Sequence, residues 1–195
     1  FIKCANLANF TVANGGASIG IHAFEDCINL RSVTVTGGNN SISEEAFKNC
    51  INLQHVTFTG QTSSIGIRAF SDCVSLSSIK FLKEVDEIKD SAFEKCELLT
   101  TATFEEGINS IGNKAFYQCR KLKSVTVSPM LNFIGRLAFY YCDKLVSITI
   151  PDDSSNAFQL RNKNSDGINY LGTSCFESCT ELKSITIPSN INYIN

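Results

Sequence analysis

The stretch SIGIRAFSDCVSLSSIKF, Ser64 to Phe81, decides the fold, because its marked positions return along the chain at one fixed interval. The pair Ala69-Phe70 has counterparts at Ala23-Phe24, Ala46-Phe47, Ala92-Phe93, Ala115-Phe116 and Ala138-Phe139, each step being 23 residues. A further copy, Cys175-Phe176, follows after 37 residues, which is the period plus an insertion of 14. Three residues after each Phe stands a cysteine: Cys27, Cys50, Cys73, Cys96, Cys119, Cys142 and Cys179. Three further on comes leucine, from Leu30 to Leu182, and then an x-x-apolar-x-apolar run such as Ile79/Phe81 or Val125/Val127. Five residues before each Phe is Ile19, Ile42, Ile65, Ile88, Ile111, Ile134 or Leu171. Phe1, Cys4, Leu7, Phe10 and Val12 fall in the same register. Agreement at this many positions identifies a solenoid.

Within a repeat the apolar spacing changes. Ala-Phe-x-x-Cys-x-x-Leu steps by three and four, which predicts a short helix of one or two turns. Leu-x-x-Val-x-Val alternates, which predicts a short strand with one apolar face. Gly20, Gly66, Gly112, Gly135 and Gly172 precede the helical segment and mark a turn, with Ser43 and Lys89 in their place in two copies. A 23-residue unit cannot bury its own apolar face, so the copies must stack. The expected fold is an α/β repeat solenoid: a leucine-rich-repeat arc, with one parallel sheet on the concave side and short helical turns on the convex side. Residues 1–195 read as a single domain, with a partial repeat at 1–15, full repeats to about 187, a truncated one at 188–195 and an insertion loop at 152–165. Ragged ends suggest a piece of a longer array, with end-to-end self-association as a consequence.

Composition excludes several function classes. Apolar residues make up 43% of the 195, and the formal net charge is −2. That balance offers no basic footprint for nucleic acid or an anionic membrane surface, and no apolar run is long enough to span a bilayer. Nine cysteines raise the question of metal or thiol chemistry. A zinc site needs about four ligands converging on a point, whereas one thiol per repeat spreads along an axis; no metal and no cofactor are expected. Disulfides between neighbouring turns fit the distance window but demand a dihedral that parallel, inward side chains reach poorly. Reduced, buried thiols filling volume are the favoured reading. No Ser or Cys nucleophile is placed by sequence near His22 or His55, and no phosphate loop or carboxylate pair stands out, so an enzyme is not expected. Asn9 and Asn39 match the N-x-[ST] sequon.

A binding surface would lie in the positions the repeat leaves free. Between the apolar strand residues stand Ser32, Thr34, His55, Thr57, Lys80, Thr103, Thr126 and Thr149, a hydroxyl-rich face that strand propensity alone also explains. The insertion DDSSNAFQLRNKNS (152–165) adds Phe158, Leu160 and Arg161 as candidate anchors at the rim.

The run SIGxxAFxxCxxLxS, seen at Ser64–Ile79 and Ser110–Val125, resembles the BspA-like, or Treponema-type, leucine-rich repeats. The resemblance implies a right-handed solenoid on a surface-exposed or secreted protein of a bacterium or microbial eukaryote. It also implies a non-catalytic module that binds a protein ligand, as an adhesin for host or matrix proteins or for other cells. The alternative is a structural spacer or stalk that presents another domain and has no partner of its own. The proline common after the strand in that family is present only at Pro129 (shifted by one), Pro151 and Pro188.

Overall fold

The computed structural model describes residues 1–13, 18–104, 108–127, 131, 133–149, 170–186 and 193–194. Each repeat contributes two strands, and the chain builds two parallel sheets where the sequence pattern indicated one. The first sheet contains β1 (Asn9–Val12), β3 (Ser32–Val35), β5 (His55–Phe58), β7 (Ser78–Phe81), β9 (Thr101–Phe104), β11 (Ser124–Thr126), β13 (Ser147–Thr149) and β15 (Ser184–Thr186). The second contains β2 (Ser18–Ile19), β4 (Asn39–Ile42), β6 (Gln61–Ile65), β8 (Val85–Ile88), β10 (Ile108–Ile111), β12 (Phe133–Ile134), β14 (Tyr170–Leu171) and β16 (Tyr193–Ile194). Strands two apart in sequence are neighbours in space, so every turn lies on the previous one in register: Val33 pairs with Val56, and Ile79 with Ala102. The isoleucines five before each Phe are the inward residues of the second sheet. Their strands are too short, at two to five residues, for alternation to show in sequence.

The Ala-Phe segment corrects the expected helical turns: among the described residues there is no helix. Each full copy instead holds two residues in the left-handed region, two before and two after the Phe. Examples are Arg68 (φ 51°) and Asp72 (φ 60°) around Phe70, and Glu45 (φ 53°) and Asn49 (φ 59°) around Phe47. A right-handed helix cannot pass through such residues. The segment is a chain of tight turns, Ala69 N to Gly66 O at 3.1 Å and Cys73 N to Phe70 O at 3.3 Å, with positive φ at the third residue as in a type II turn. The left-handed residues turn their N–H groups along the solenoid axis. Arg68 N donates to Asp90 O at 3.0 Å and Asp72 N to Glu94 O at 2.9 Å, while Phe70 N, between them, donates to Ala92 O at 2.8 Å. A two-turn helix would leave its terminal groups unpaired; these turns hand them to the next repeat.

The glycines do open the turns, as Gly66 O accepting from Ala69 N shows, and they have a second role. A Cβ on Gly135 would lie 2.5 Å from Asn113 N, and one on Gly172 would lie 2.4 Å from Arg136 N, so these residues let backbones of adjacent turns approach closely.

The left-handed geometry gives a direct test. Asn49 also donates from Nδ2 to Asp26 Oδ1 at 2.6 Å. Asn49→Val places a β-branched residue at positive φ and is expected to lower the unfolding free energy by about 2 kcal/mol or more. Asn49→Gly, which loses only the side-chain bond, is expected to cost under about 1 kcal/mol. Urea denaturation of both variants measures the difference. Equal losses would assign the effect to the Asp26 bond and not to the backbone.

A single core lies between the two sheets and the stacked turns, and each repeat position becomes a column within it. Phe1, Phe24, Phe47, Phe70, Phe93, Phe116, Phe139 and Phe176 stack ring on ring with centroids 5.1 to 5.4 Å apart and planes within 15°. Phe58, Phe81 and Phe104 form a shorter second stack from the first sheet. Parallel stacking at this offset adds about 0.5–1.5 kcal/mol per pair beyond burial.

Candidate functional site

The cysteines form the most regular column. From Cys27 to Cys179, the thiols at this repeat position donate to the carbonyl of the Phe one turn back: Cys50 Sγ to Phe24 O at 3.1 Å, Cys73 to Phe47 O at 3.1 Å, Cys96 to Phe70 O at 3.2 Å, Cys119 to Phe93 O at 3.1 Å and Cys142 to Phe116 O at 3.2 Å. The same carbonyls accept the N–H of the cysteine in their own turn, as Phe70 O does from Cys73 N, so both lone pairs are used. Thus the cysteine does more than fill volume. It ties adjacent turns together, and alanine or valine in that slot would leave this contact unmade. All nine cysteines are free thiols. Burial pushes Cys73, Cys96, Cys119 and Cys142 well above the ordinary thiol value, the opposite of what a nucleophile needs.

On the first sheet the outward residues stand where the alternation put them. Thr34, Thr57, Lys80 and Thr103 form one paired row, and the backbone register continues it through Thr126 and Thr149. Ser32, His55 and Ser78 form a second row. Ser32 Oγ donates to Asn9 Oδ1 at 2.7 Å, so the hydroxyls are partly engaged along the sheet. His55 does meet serines that sequence spacing did not place beside it: its Nδ1 lies 3.4 Å from Ser78 Oγ and 3.5 Å from Ser77 Oγ. These distances are long, the group is exposed, and no carboxylate orients the ring among the described residues, so the constellation lacks the third member of a hydrolytic triad. His55 and Lys80 are the exposed, individual marks on this face. Phe158, Leu160 and Arg161, with the rest of the 152–165 loop, lie outside the described residues.

Two clusters on the turn side were not legible as sites in the sequence. In the first, Glu45 is buried among cations: Lys48 Nζ sits 2.8 Å from its Oε2 and Arg68 Nη1 3.3 Å from its Oε1. The hydrogen bond from Lys48 holds the Glu45 carboxyl below its usual range, and Glu45 in turn raises Lys48. His22 Nδ1 lies 2.9 Å from Glu25 Oε2 and 3.4 Å from Glu45 Oε2, so a His, Glu, Glu set converges within 4.8 Å. Lys48 already lies against both carboxylates, at 3.6 Å from Glu25 Oε1. A divalent ion would have to displace it, and the cluster reads as an ion-pair network joining turns.

The second cluster is aromatic. Tyr117 and Tyr140 stack at 5.2 Å with planes 9° apart, and Tyr141 meets Tyr140 edge-on at 4.6 Å. Lys114 Nζ lies 5.6 Å from the Tyr117 ring centre and the Arg120 guanidinium 5.6 Å from that of Tyr141. The signal was available in YQCR (117–120) and YYC (140–142), where the residues flanking the repeat's Phe and Cys turn aromatic in two successive copies. Strand alternation passes over it, because the positions belong to the turns.

Known proteins share this architecture. A family model described as "BspA type Leucine rich repeat region" matches in six copies over residues 1–104, 40–162 and 99–195. No protein of curated function matches. Among solved structures, a Treponema pallidum leucine-rich repeat protein superposes with a TM-score of 0.64 at 23% identity, covering 84% of this chain and 78% of that one, a likeness of fold. A protein from Faecalibacterium prausnitzii, titled a leucine rich cell surface protein, superposes with a TM-score of 0.67 at 27% identity over 92% of this chain; the match spans 47% of that chain. With the family model matching along the whole length, the 23-residue period, the stacked Phe and Cys columns and the parallel strands mark the chain as a member of the BspA-type leucine-rich repeat family.

Proposed function

We propose that the chain is a non-catalytic protein-binding module of a microbial cell-surface or secreted protein, serving adhesion to host or matrix proteins or to other cells. The carrying observation is how the repeat divides its residues. The recurring Ile, Ala, Phe, Cys and Leu are consumed by the core. What varies from turn to turn is exposed, as His55 and Lys80 are on the first sheet. A surface that changes along an invariant scaffold is how solenoids recognise partners. Family membership and the cell-surface title of the Faecalibacterium neighbour support the location. The ordered, repeated packing would equally suit a spacer, so the test must separate the two.

The purified chain is passed over immobilised extracellular-matrix proteins and fixed microbial cells. Saturable binding with a Kd of about 10 μM or tighter is expected for at least one target, weakened at least tenfold by the double change His55→Glu and Lys80→Glu or by deletion of 152–165. Absence of saturable binding throughout would favour the spacer.

A further inference from the structure

Resting on the protein-binding reading, we infer that the patch of Tyr117, Tyr140 and Tyr141, with the adjoining cleft of Lys114 and Arg136, docks an acidic segment of a partner protein. Charge points there first. On the turn side of this solenoid several cations are matched by carboxylates on their own or a neighbouring turn: Lys48 with Glu25 and Glu45, Arg68 with Glu45, Lys95 with Asp72, and Lys144 with Glu181. Lys114 and Arg136 are not so matched, and unlike Lys3 and Lys89, which are also unmatched among the described residues, they stand together. Among the described residues neither has a carboxylate partner, and together with Asn113 and Leu137 they line an open cleft of about 350 Å³. Lys114 occupies the repeat position that Glu45 fills three turns earlier.

The aromatic part adjoins the cleft through Lys114, which lies over Tyr117. Tyrosine and arginine are the residue types that concentrate binding energy at protein interfaces, and here three tyrosines and Arg120 gather on two successive turns. Three carboxylates border the patch and its cleft, and Asp90 is engaged by Asn113 N at 2.8 Å and Asn113 Nδ2 at 3.1 Å. Asp143 lies 3.9 Å from Arg120, a loose contact. Glu177 stands near Tyr140, whose hydroxyl is raised by desolvation first, then by Tyr141 and Glu177. Lys114 and Arg136, on the cleft side, keep their charges unmatched.

The paired cations of the cleft favour an acidic peptide over a neutral sugar. A neutral carbohydrate would use an aromatic face and leave both charges unanswered. Tyr117 is covered by Tyr140 and Lys114, Tyr140 by Tyr117, and Tyr141 by Arg120. What remains is part of the exposed Tyr141 ring, ring edges, hydroxyls and two cations, which suit carboxylates and apolar side chains alternating along an extended chain. Burying such pairs would give charge-assisted hydrogen bonds at the cleft and desolvated contacts over the rings.

The test is a fluorescence-anisotropy titration with a labelled 12-residue peptide rich in Asp and Glu and carrying two Leu residues, against the same peptide with Asn and Gln. The acidic peptide is expected to bind at least tenfold more tightly. Lys114→Glu with Arg136→Glu is expected to weaken it at least tenfold, and Tyr141→Ala several-fold. Lys3→Glu, an exposed turn position far along the solenoid from the cleft, is expected to leave it unchanged. Raising salt from 50 to 300 mM should weaken the acidic peptide and not the amide one. Circular dichroism confirms that each variant folds; a variant that does not is replaced by Lys114→Gln with Arg136→Gln, which removes charge without adding any. Equal affinity for both peptides overturns the proposal, as does insensitivity to the cleft changes. Patch-dependent binding of heparin without binding of the acidic peptide would also overturn it, by assigning the cations to a sulfated glycan. If the peptide binds at the cleft while every matrix protein and cell fails to bind, the docking surface stands and the adhesion reading falls. If a matrix protein binds regardless of the cleft changes and the peptide does not bind, adhesion stands and the docking surface falls.

Discussion

Raising the pH from 8 to about 10.5 is expected to unfold this protein under reducing conditions, through its column of thiols. Cys73, Cys96, Cys119 and Cys142 are held well above the ordinary thiol value of 9.0, by burial first; for Cys96, Cys119 and Cys142 the next thiol in the column adds to it. Cys175 and Cys179 are pushed up to about 11, again chiefly by burial. A folded pKa above the unfolded one fixes the sign. Below pH 9 both states keep their protons and the stability is fully present. Above it the unfolded chain releases protons that the fold retains, so stability falls as pH rises toward the folded values. Each thiol in that window removes about 1.4 kcal/mol per pH unit. Four buried thiols acting together remove roughly 5 kcal/mol per unit, against a total of about 5–15 kcal/mol for an ordinary domain. Urea unfolding at pH 7.5, 8.5, 9.5 and 10.5 measures the slope. Cys96→Ala should lower stability at pH 7.5, since it loses the bond to Phe70 O, yet decline less steeply above pH 9. A profile flat to pH 10.5 would show that the thiols are not buried in the protonated state. Lys48 and Lys144 are raised from 10.5, so their losses begin later and do not mimic this window.

How much of this could be read from the sequence depends on how far each feature acts. Period, core columns and the outward row from Ser32 to Thr103 were legible, because stacking makes every repeat position answer to the same environment seven times. The turns were not. Apolar spacing of three and four fits a helix, and only the left-handed residues, Arg68 and Asp72 in one copy, exclude it. Those positions carry Lys, His, Asp, Glu, Asn, Arg, Ser, Gln, Leu and Tyr. No residue type announces the conformation, since axial hydrogen bonds to the next turn impose it. The second sheet was hidden by strand length: one inward isoleucine in a strand of two residues, as in β2 or β12, makes no alternation. The cysteine was half legible. Its burial follows from its column, but its bond to the Phe carbonyl links residues 26 apart and leaves no local pattern. The tyrosine patch is an exception to the repeat, and a periodic pattern hides its own exceptions.

Phe70→Ala is expected to cost about 3–5 kcal/mol, the range for emptying a buried phenyl site. Phe70 is fully buried, with Phe47 at 5.1 Å on one side and Phe93 at 5.3 Å on the other. Its loss removes two stacking partners at once, and the gap cannot collapse readily. The flanking backbones are pinned by Phe70 N to Ala92 O at 2.8 Å and Phe47 N to Ala69 O at 2.8 Å. Phe70→Leu, which refills part of the volume but not the stack, should cost about 1–2 kcal/mol. The form of unfolding matters as much as the size of the loss. In a solenoid each turn contacts only its neighbours, so stability is close to a sum of units and interfaces. Weakening a central interface should therefore split one cooperative transition into two. Amide exchange would then speed up in β5 to β8 before it does in β11 and β13. Phe1→Ala, at the exposed head of the same stack, removes one partner and should cost under about 1 kcal/mol while leaving the transition single. If Phe70→Ala and Phe1→Ala cost the same, the stacked ring is not what joins the turns, and the carbonyl-to-thiol bonds would be the next interaction to remove.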